Sequence, residues 1–334
     1  MSYDGLCFLS LDGGGVRGLS TLYILREIMA ALNHAREEAG LLAVKRCDVF
    51  GLIGGTSTGG LIAIMLGRLG MDVDDCISAY NALIEAIFTE REIRTGLGFK
   101  GNVEAKFSSQ KLRECIENPG VSRGCRVFVC SCDRNNTRRI IRLRSYDIPG
   151  KPRSMNRPSV VQVALATSAA PRLFDEVNIG DVVHLDGGLD ANNPVNHVAH
   201  EASDILCKEG GDPNLQARIK CFLSIGTGHP GVKAVHLDNA WKHISATLKE
   251  MVTDTQKDAH EFAHSWRRPL SQGRYFRFNV RHGLYDISLH GYKEKGKVET
   301  MTLSYLEEQD AEQSVRKCVK AMENKECVSI PDFS

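Results

Sequence analysis

Ser57 stands in Gly55-Thr56-Ser57-Thr58-Gly59, a G-x-S-x-G pattern. The apolar run Val49-Phe50-Gly51-Leu52-Ile53 leads into it, and the helix-compatible Leu61-Ile62-Ala63-Ile64-Met65-Leu66 leads away. A strand, a sharp turn and a helix hold a serine Oγ clear of the backbone, where it can attack a carbonyl. The glycines allow the strained turn and the close approach of strand and helix. Taken alone, the pattern equally describes a plain glycine-rich strand-to-helix turn.

A second glycine turn lies upstream, Asp12-Gly13-Gly14-Gly15-Val16-Arg17-Gly18. It follows the buried-strand pattern Leu6-Cys7-Phe8-Leu9-Ser10-Leu11, and residues 19–31 after it are apolar at helical spacing. Consecutive glycines at a helix N-terminus leave backbone N–H groups directed at one spot. Such groups bind a phosphate or a developing oxyanion. A base would complete an acyl-transfer site. The candidate is Asp186, placed after the short strand pattern Asp181-Val182-Val183-His184-Leu185 and before Gly187-Gly188. An ordinary Asp-Gly turn has the same look. His184 is two residues away, on the same strand face if the strand runs that far, so a Ser-His-Asp arrangement stays open.

Two other motifs point elsewhere. Gly13, Gly15 and Gly18 also fit G-x-G-x-x-G, which calls for an acidic residue at the end of a second strand about 20 residues on. Glu37 and Glu38 fall instead in a polar, helix-like stretch, so a dinucleotide site is disfavoured. His260-Glu261-Phe262-Ala263-His264 matches H-E-x-x-H on a predicted helix. Zinc would need a third ligand, and Ser265-Trp266-Arg267-Arg268-Pro269-Leu270 supplies none. A solvated helix face is the simpler account.

Together, the three turns resemble the patatin-like phospholipases, the acyl hydrolases of plant patatins and calcium-independent cellular phospholipases. The family patterns D-G-G-G-x-[RK]-G, G-x-S-x-G and D-G-[AG] occur here in that order. Residues 164–174, Ala-Leu-Ala-Thr-Ser-Ala-Ala-Pro-Arg-Leu-Phe, and Asn192-Asn193-Pro194 are similar to it as well. The combination looks most like fungal patatin-like domains, which often sit at the N-terminus of larger proteins. The resemblance implies an α/β fold of three layers, α/β/α, with a largely parallel central sheet and the nucleophile elbow after a central strand. It implies a Ser57–Asp186 dyad, an oxyanion hole from Gly13, Gly14 and Gly15 with Arg17 close by, and no catalytic histidine. The implied activity is hydrolysis of carboxylic esters in lipids through an acyl-enzyme. A regulated effector or scaffold role with conditional catalysis, or acyl transfer, are the alternatives.

Composition agrees. The 334 residues are 42% hydrophobic and 25% charged, as in soluble globular proteins. A net charge of +1 gives no bulk field for nucleic acid or anionic membrane. No run of 18 apolar residues marks a membrane span, and Met1–Gly5 has no basic leader, so a cytoplasmic protein docking peripherally on membranes or micelles is expected. The 11 cysteines are scattered, which reads as reduced thiols. No D-x-D-x-D-G loop is present, so calcium is not expected, and no other cofactor or metal is expected. Further domains of a longer chain are compatible with all of this.

The elements that must position these residues alternate between strand and helix, the pattern of a largely parallel sheet. Strands are expected at 6–11, 49–54, 126–131, 139–143, 182–186 and 220–225, with a β-like piece at 275–280. Helices are expected at 19–33, 59–69, 74–88, 109–117, 159–168, 195–209, 238–266 and 303–324. Residues 94–106, glycine-rich and basic, read as a loop or lid. The catalytic core is assigned to 6–230, and 231–334 to a helical C-terminal extension packed on the same domain.

Overall fold

The computed structural model describes residues 5–44, 46–87, 125–148, 150, 157–171, 174–206, 215–229, 255–288 and 291–325. The expected lid at 94–106, the helix at 109–117 and the first part of the helix at 238–266 lie outside them.

Among the described residues, eight strands form one sheet: β1 (Leu6–Leu11), β2 (Leu52–Thr56), β3 (Arg126–Asp133), β4 (Asn136–Arg144), β5 (Val177–Ile179), β6 (Val182–Asp186), β7 (Ile219–Ile225) and β8 (Tyr275–Phe278). Their order is β5-β6-β3-β2-β1-β7-β8, with β4 paired to β3. The centre, β3-β2-β1-β7-β8, is parallel throughout, while β4 and β6 run against β3. The principal helices are α1 (Gly18–Glu38), α2 (Thr58–Ala63), α3 (Val73–Ile87), α4 (Val160–Thr167), α5 (Val195–Leu206), α6 (255–265), α7 (Lys295–Leu306) and α8 (Gln309–Met322).

Strand β1 is buried along its whole length because both faces of the sheet are covered. Cys7, Leu9 and Leu11 enter a core with Leu22 and Ile28 of α1, Tyr80 of α3 and Val315 of α8. Leu6 and Phe8, alternating with them, enter a second core with Val195 and Val198 of α5 and Phe262 of α6. This is the three-layer α/β/α arrangement. In the second core Phe222 sits at the centre of an aromatic cluster, 5.9 Å from Phe8, 5.3 Å from Phe262 and 5.2 Å from Trp266. Burying one such ring contributes roughly 1.5–3 kcal/mol.

Several boundaries differ from expectation. Strand β2 starts at Leu52 rather than 49, because Arg46–Val49 forms a helical turn, and it runs on through both glycines to Thr56. Gly54 has to lie in the strand without a side chain: a Cβ there would come within 2.5 Å of Phe128 and Val198. Strand β4 starts at Asn136 rather than 139, since the Asp133–Asn136 pair closes a tight hairpin. Polar residues on an exposed edge strand hide that start. The single helix expected at 303–324 is two helices, because Glu308 is extended (φ −64°, ψ 135°). No Gly or Pro marks that break, though Asp310 and Glu312 in the first turn of α8 suit a helix N-terminus. Strand β5, three residues long, carries too short a pattern to be read.

Candidate active site

The sheet register brings Ser57 and Asp186 together. Strand β2 pairs with β3 as far as Thr56–Cys130. Strand β6 pairs antiparallel with β3 from Ser131–Asp186 onward. Since β4 holds the other edge of β3 across both stretches, β2 and β6 share one edge, end to end. Their C-terminal ends therefore meet at Cys130–Ser131, with Ser57 leaving one and Asp186 closing the other.

Ser57 has φ 54° and ψ −125°, and it is the one non-glycine residue with positive φ among those described. Such a conformation costs on the order of 1–3 kcal/mol and persists only where its surroundings impose it. Here Thr167 at the end of α4 imposes it. Its Oγ1 accepts from the Ser57 N–H at 3.0 Å and donates to the Cys130 carbonyl at 2.7 Å. Gly59 completes the elbow, since a Cβ there would meet the Leu11 carbonyl at 2.3 Å.

The Ser57 hydroxyl donates to Asp186 Oδ2 at 2.7 Å. Asp186 Oδ1 accepts from the Gly188 N–H at 2.7 Å, and the carboxylate is buried. Burial raises the Asp186 carboxyl to about 6, against the opposing pull of the Gly188 and Ser57 hydrogen bonds. His184 does not share this contact. Its Nδ1 lies 2.8 Å from Ser131 Oγ, and burial lowers its pKa, favouring the neutral ring. Among the described residues no histidine is hydrogen-bonded to Ser57.

The glycine loop at the end of β1 lies beside the elbow. Gly13 donates its N–H to the Asn192 carbonyl at 2.9 Å, so that group is already engaged. The Gly14 N–H donates to Thr58 Oγ1 at 3.0 Å. Gly15, at φ 56°, has no acceptor for its N–H among the described residues. Arg17 is buried, its Nε has no partner, and among the described residues no carboxylate pairs with it. Burial brings its guanidinium down to about 10.

A serine on a strained elbow, a desolvated carboxylate in contact with it and an adjacent nest of N–H groups are the parts of an acyl-transfer site. The comparisons with known proteins agree. The family model described as patatin-like phospholipase matches residues 9–199. The chain belongs to the patatin-like phospholipase family. It is 29% identical to patatin-like phospholipase 1 of Plasmodium falciparum, over 89% of this chain and 47% of that one. It is 26% identical to mouse calcium-independent phospholipase A2-gamma, over 82% and 35%. With the cGAMP-activated phospholipase of Escherichia coli it shares 32% identity over 56% and 52%. The chain thus spans between 35% and 52% of those relatives' own length.

Some residues around the site had no readable role in the sequence. Thr58 and Thr167 lie inside the motifs, but their spacing assigns them no role. Asn192, in Asn192-Asn193-Pro194, donates to Thr255 Oγ1 at 2.7 Å as well as accepting from Gly13. Tyr80, Thr227 and Arg277 carried no signal, because each reaches the loop from a distant part of the chain. On α6, His260, Glu261 and His264 are exposed while Phe262 between them is buried. Among the described residues no group of three or more His, Cys, Asp or Glu is gathered to hold a metal.

Proposed function

We propose that this chain is the catalytic domain of a serine hydrolase that cleaves carboxylic ester bonds of lipids at a membrane or micelle surface. The observation that carries the reading is the 2.7 Å contact of Ser57 Oγ with Asp186 Oδ2 beside the glycine loop. Asp186 takes the Ser57 proton as Oγ attacks the ester carbonyl. The oxyanion is held at the Gly15 N–H, while Gly13 and Gly14 shape the loop through their bonds to Asn192 and Thr58. Collapse expels the alcohol, which leaves with the proton from Asp186, and the acyl group stays on Ser57. Water, deprotonated by Asp186, then attacks the acyl carbonyl, and the fatty acid leaves as Asp186 returns the proton to Ser57 Oγ. A carboxyl near 6 is a far better base at neutral pH than one at the ordinary value of about 3.9. No metal enters this sequence.

Residues 231–334 are proposed as part of the same catalytic unit, supported by β8 joining the sheet beside β7 and by α7 and α8 sharing the core of α1. Among the described residues no helix is long and apolar enough to cross a membrane. A peripheral, cytoplasmic enzyme is our reading, supported by the buried thiols of Cys7, Cys130, Cys132, Cys221 and Cys318, none of them in a disulfide. A second reading, a regulated effector within a longer protein, is favoured by the share of its relatives' length that the chain spans.

The test is incubation with a panel of phospholipids and neutral glycerides, with products identified by mass spectrometry. Free fatty acid together with a lysolipid or partial glyceride is the expected result. Acyl groups appearing on an added alcohol instead would mark an acyltransferase, and no turnover without an added activator would favour the regulated effector.

Arg17 is expected to support the loop rather than a lipid head group. Arg17→Ala should then lower kcat about 10²-fold on a phospholipid and on a neutral ester alike, as when a donor is lost from an oxyanion hole. A rise in KM confined to the phospholipid would reassign Arg17 to the phosphate.

A further inference from the structure

We infer that Arg277 and Tyr80, two side chains outside the three glycine motifs, are positioning residues that clamp the glycine loop at its two ends. The inference rests on the proposed acyl-transfer role of Ser57 and that loop.

Asp12 is the last residue before Gly13, and it is fully buried. Arg277 on β8 grips its carboxylate with both ends of the guanidinium fork, Nη1 to Oδ1 at 2.9 Å and Nη2 to Oδ2 at 2.5 Å. Nη1 also donates to Ser224 Oγ on β7 at 2.8 Å, so the fork is itself aimed. Gly226 follows β7, and a Cβ there would stand 2.7 Å from Nη2, which leaves only glycine room beside the pair. One residue on, Thr227 Oγ1 donates to the Gly13 carbonyl at 2.8 Å. The other end of the loop is held by Tyr80 on α3, whose hydroxyl donates to the Gly15 carbonyl at 2.7 Å.

A buried ion pair is a poor device for stability, because an apolar pair of equal volume does as well or better. What a two-pronged Arg–carboxylate contact supplies is a fixed orientation. Here the orientation is that of the residue from which the loop springs. A carbonyl held at Gly15 fixes the Gly15–Val16 peptide plane in the same way, and so anchors the loop directly beyond the Gly15 N–H. Oxyanion donors act through preorganisation, so small errors in their direction lower the rate without weakening substrate binding. Arg277 lies beyond residues 9–199, the span of the family match, so part of the catalytic geometry comes from the C-terminal segment.

The test uses the whole chain with a short-chain ester and a fluorophosphonate, the label being located by mass spectrometry. Wild-type labelling at Ser57 establishes the underlying site. Arg277→Lys keeps the charge and loses the fork, and Tyr80→Phe removes one hydroxyl. Each is expected to lower kcat and the labelling rate about 10-fold, with KM within twofold of wild type and the melting temperature within a few degrees. Wild-type kcat and labelling in both variants would overturn the inference. So would losses of activity that merely track the fraction unfolded, or losses confined to KM. If wild type is labelled elsewhere than Ser57, the acyl-transfer reading fails first and takes this one with it.

Discussion

Ser57→Ala should remove ester hydrolysis almost entirely, by at least ~10⁴-fold in kcat, while the protein stays folded. The hydroxyl is the nucleophile in the proposed reaction and its Oγ already lies 2.7 Å from Asp186. The backbone of the elbow does not depend on it. The Ser57 N–H is held by Thr167, and the approach to β1 is set by Gly59. Alanine at φ 54° is no worse placed than serine, so stability should change by no more than about 1 kcal/mol, the worth of one hydrogen bond. Ser57→Gly separates chemistry from strain. Glycine accepts positive φ, so this variant should be equally inactive and more stable than wild type by ~1 kcal/mol. Steady-state kinetics on a short-chain ester, with denaturant unfolding of the same preparations, provides the check. Undiminished turnover in the alanine variant would remove Ser57 from the mechanism.

Asp186→Asn is expected to be nearly inactive, with His184→Gln close to wild type. Asp186 is the group in contact with Ser57, whereas His184 is turned toward Ser131. The pH dependence follows from the position of the carboxyl at about 6. A base must be unprotonated, so kcat/KM should rise with pH through about 6 and fall away below it. Stability should move in the opposite sense. The folded-state value lies above the unfolded one, so the folded chain binds the proton more tightly. The resulting stabilisation is full below about pH 4 and is lost as pH rises through about 6. By neutral pH the loss is on the order of 3 kcal/mol. Asn carries no such charge and can still accept from Gly188. Asp186→Asn should therefore be at least as stable as wild type at pH 8, with a smaller difference between pH 5 and pH 8. Greater activity loss in His184→Gln than in Asp186→Asn would instead indicate a histidine-containing triad.

Much of this site is legible in the chain itself because its parts are local. A nucleophile elbow needs glycines at fixed offsets from one serine, and an N–H nest needs consecutive glycines before a helix. Both requirements are met within seven residues, so Gly13–Gly15, Arg17 and Ser57 stand out by spacing. The alternation of apolar runs with amphipathic stretches likewise gives the α/β layering, since a strand covered on both faces must be apolar throughout, as β1 is.

Other features depend on which distant segments meet, and no local pattern carries that. Asp186 could be named as a candidate, but its contact with Ser57 exists because β2 and β6 share one edge of β3, a matter of register. Asp186 rather than His184 touches Ser57 because Asp186 stands at the end of β6 that abuts β2, with His184 two residues farther along β3. The engagement of the Gly13 N–H by Asn192 depends on a segment some 180 residues away. Arg277 and Tyr80 look like any other arginine and tyrosine until β8 and α3 are folded against the loop. Residue type and spacing determined the chemistry this chain could attempt. Tertiary packing decided which groups lose their water, which find a partner and which stay aimed at the substrate, because burial and long-range pairing are properties of the assembled sheet.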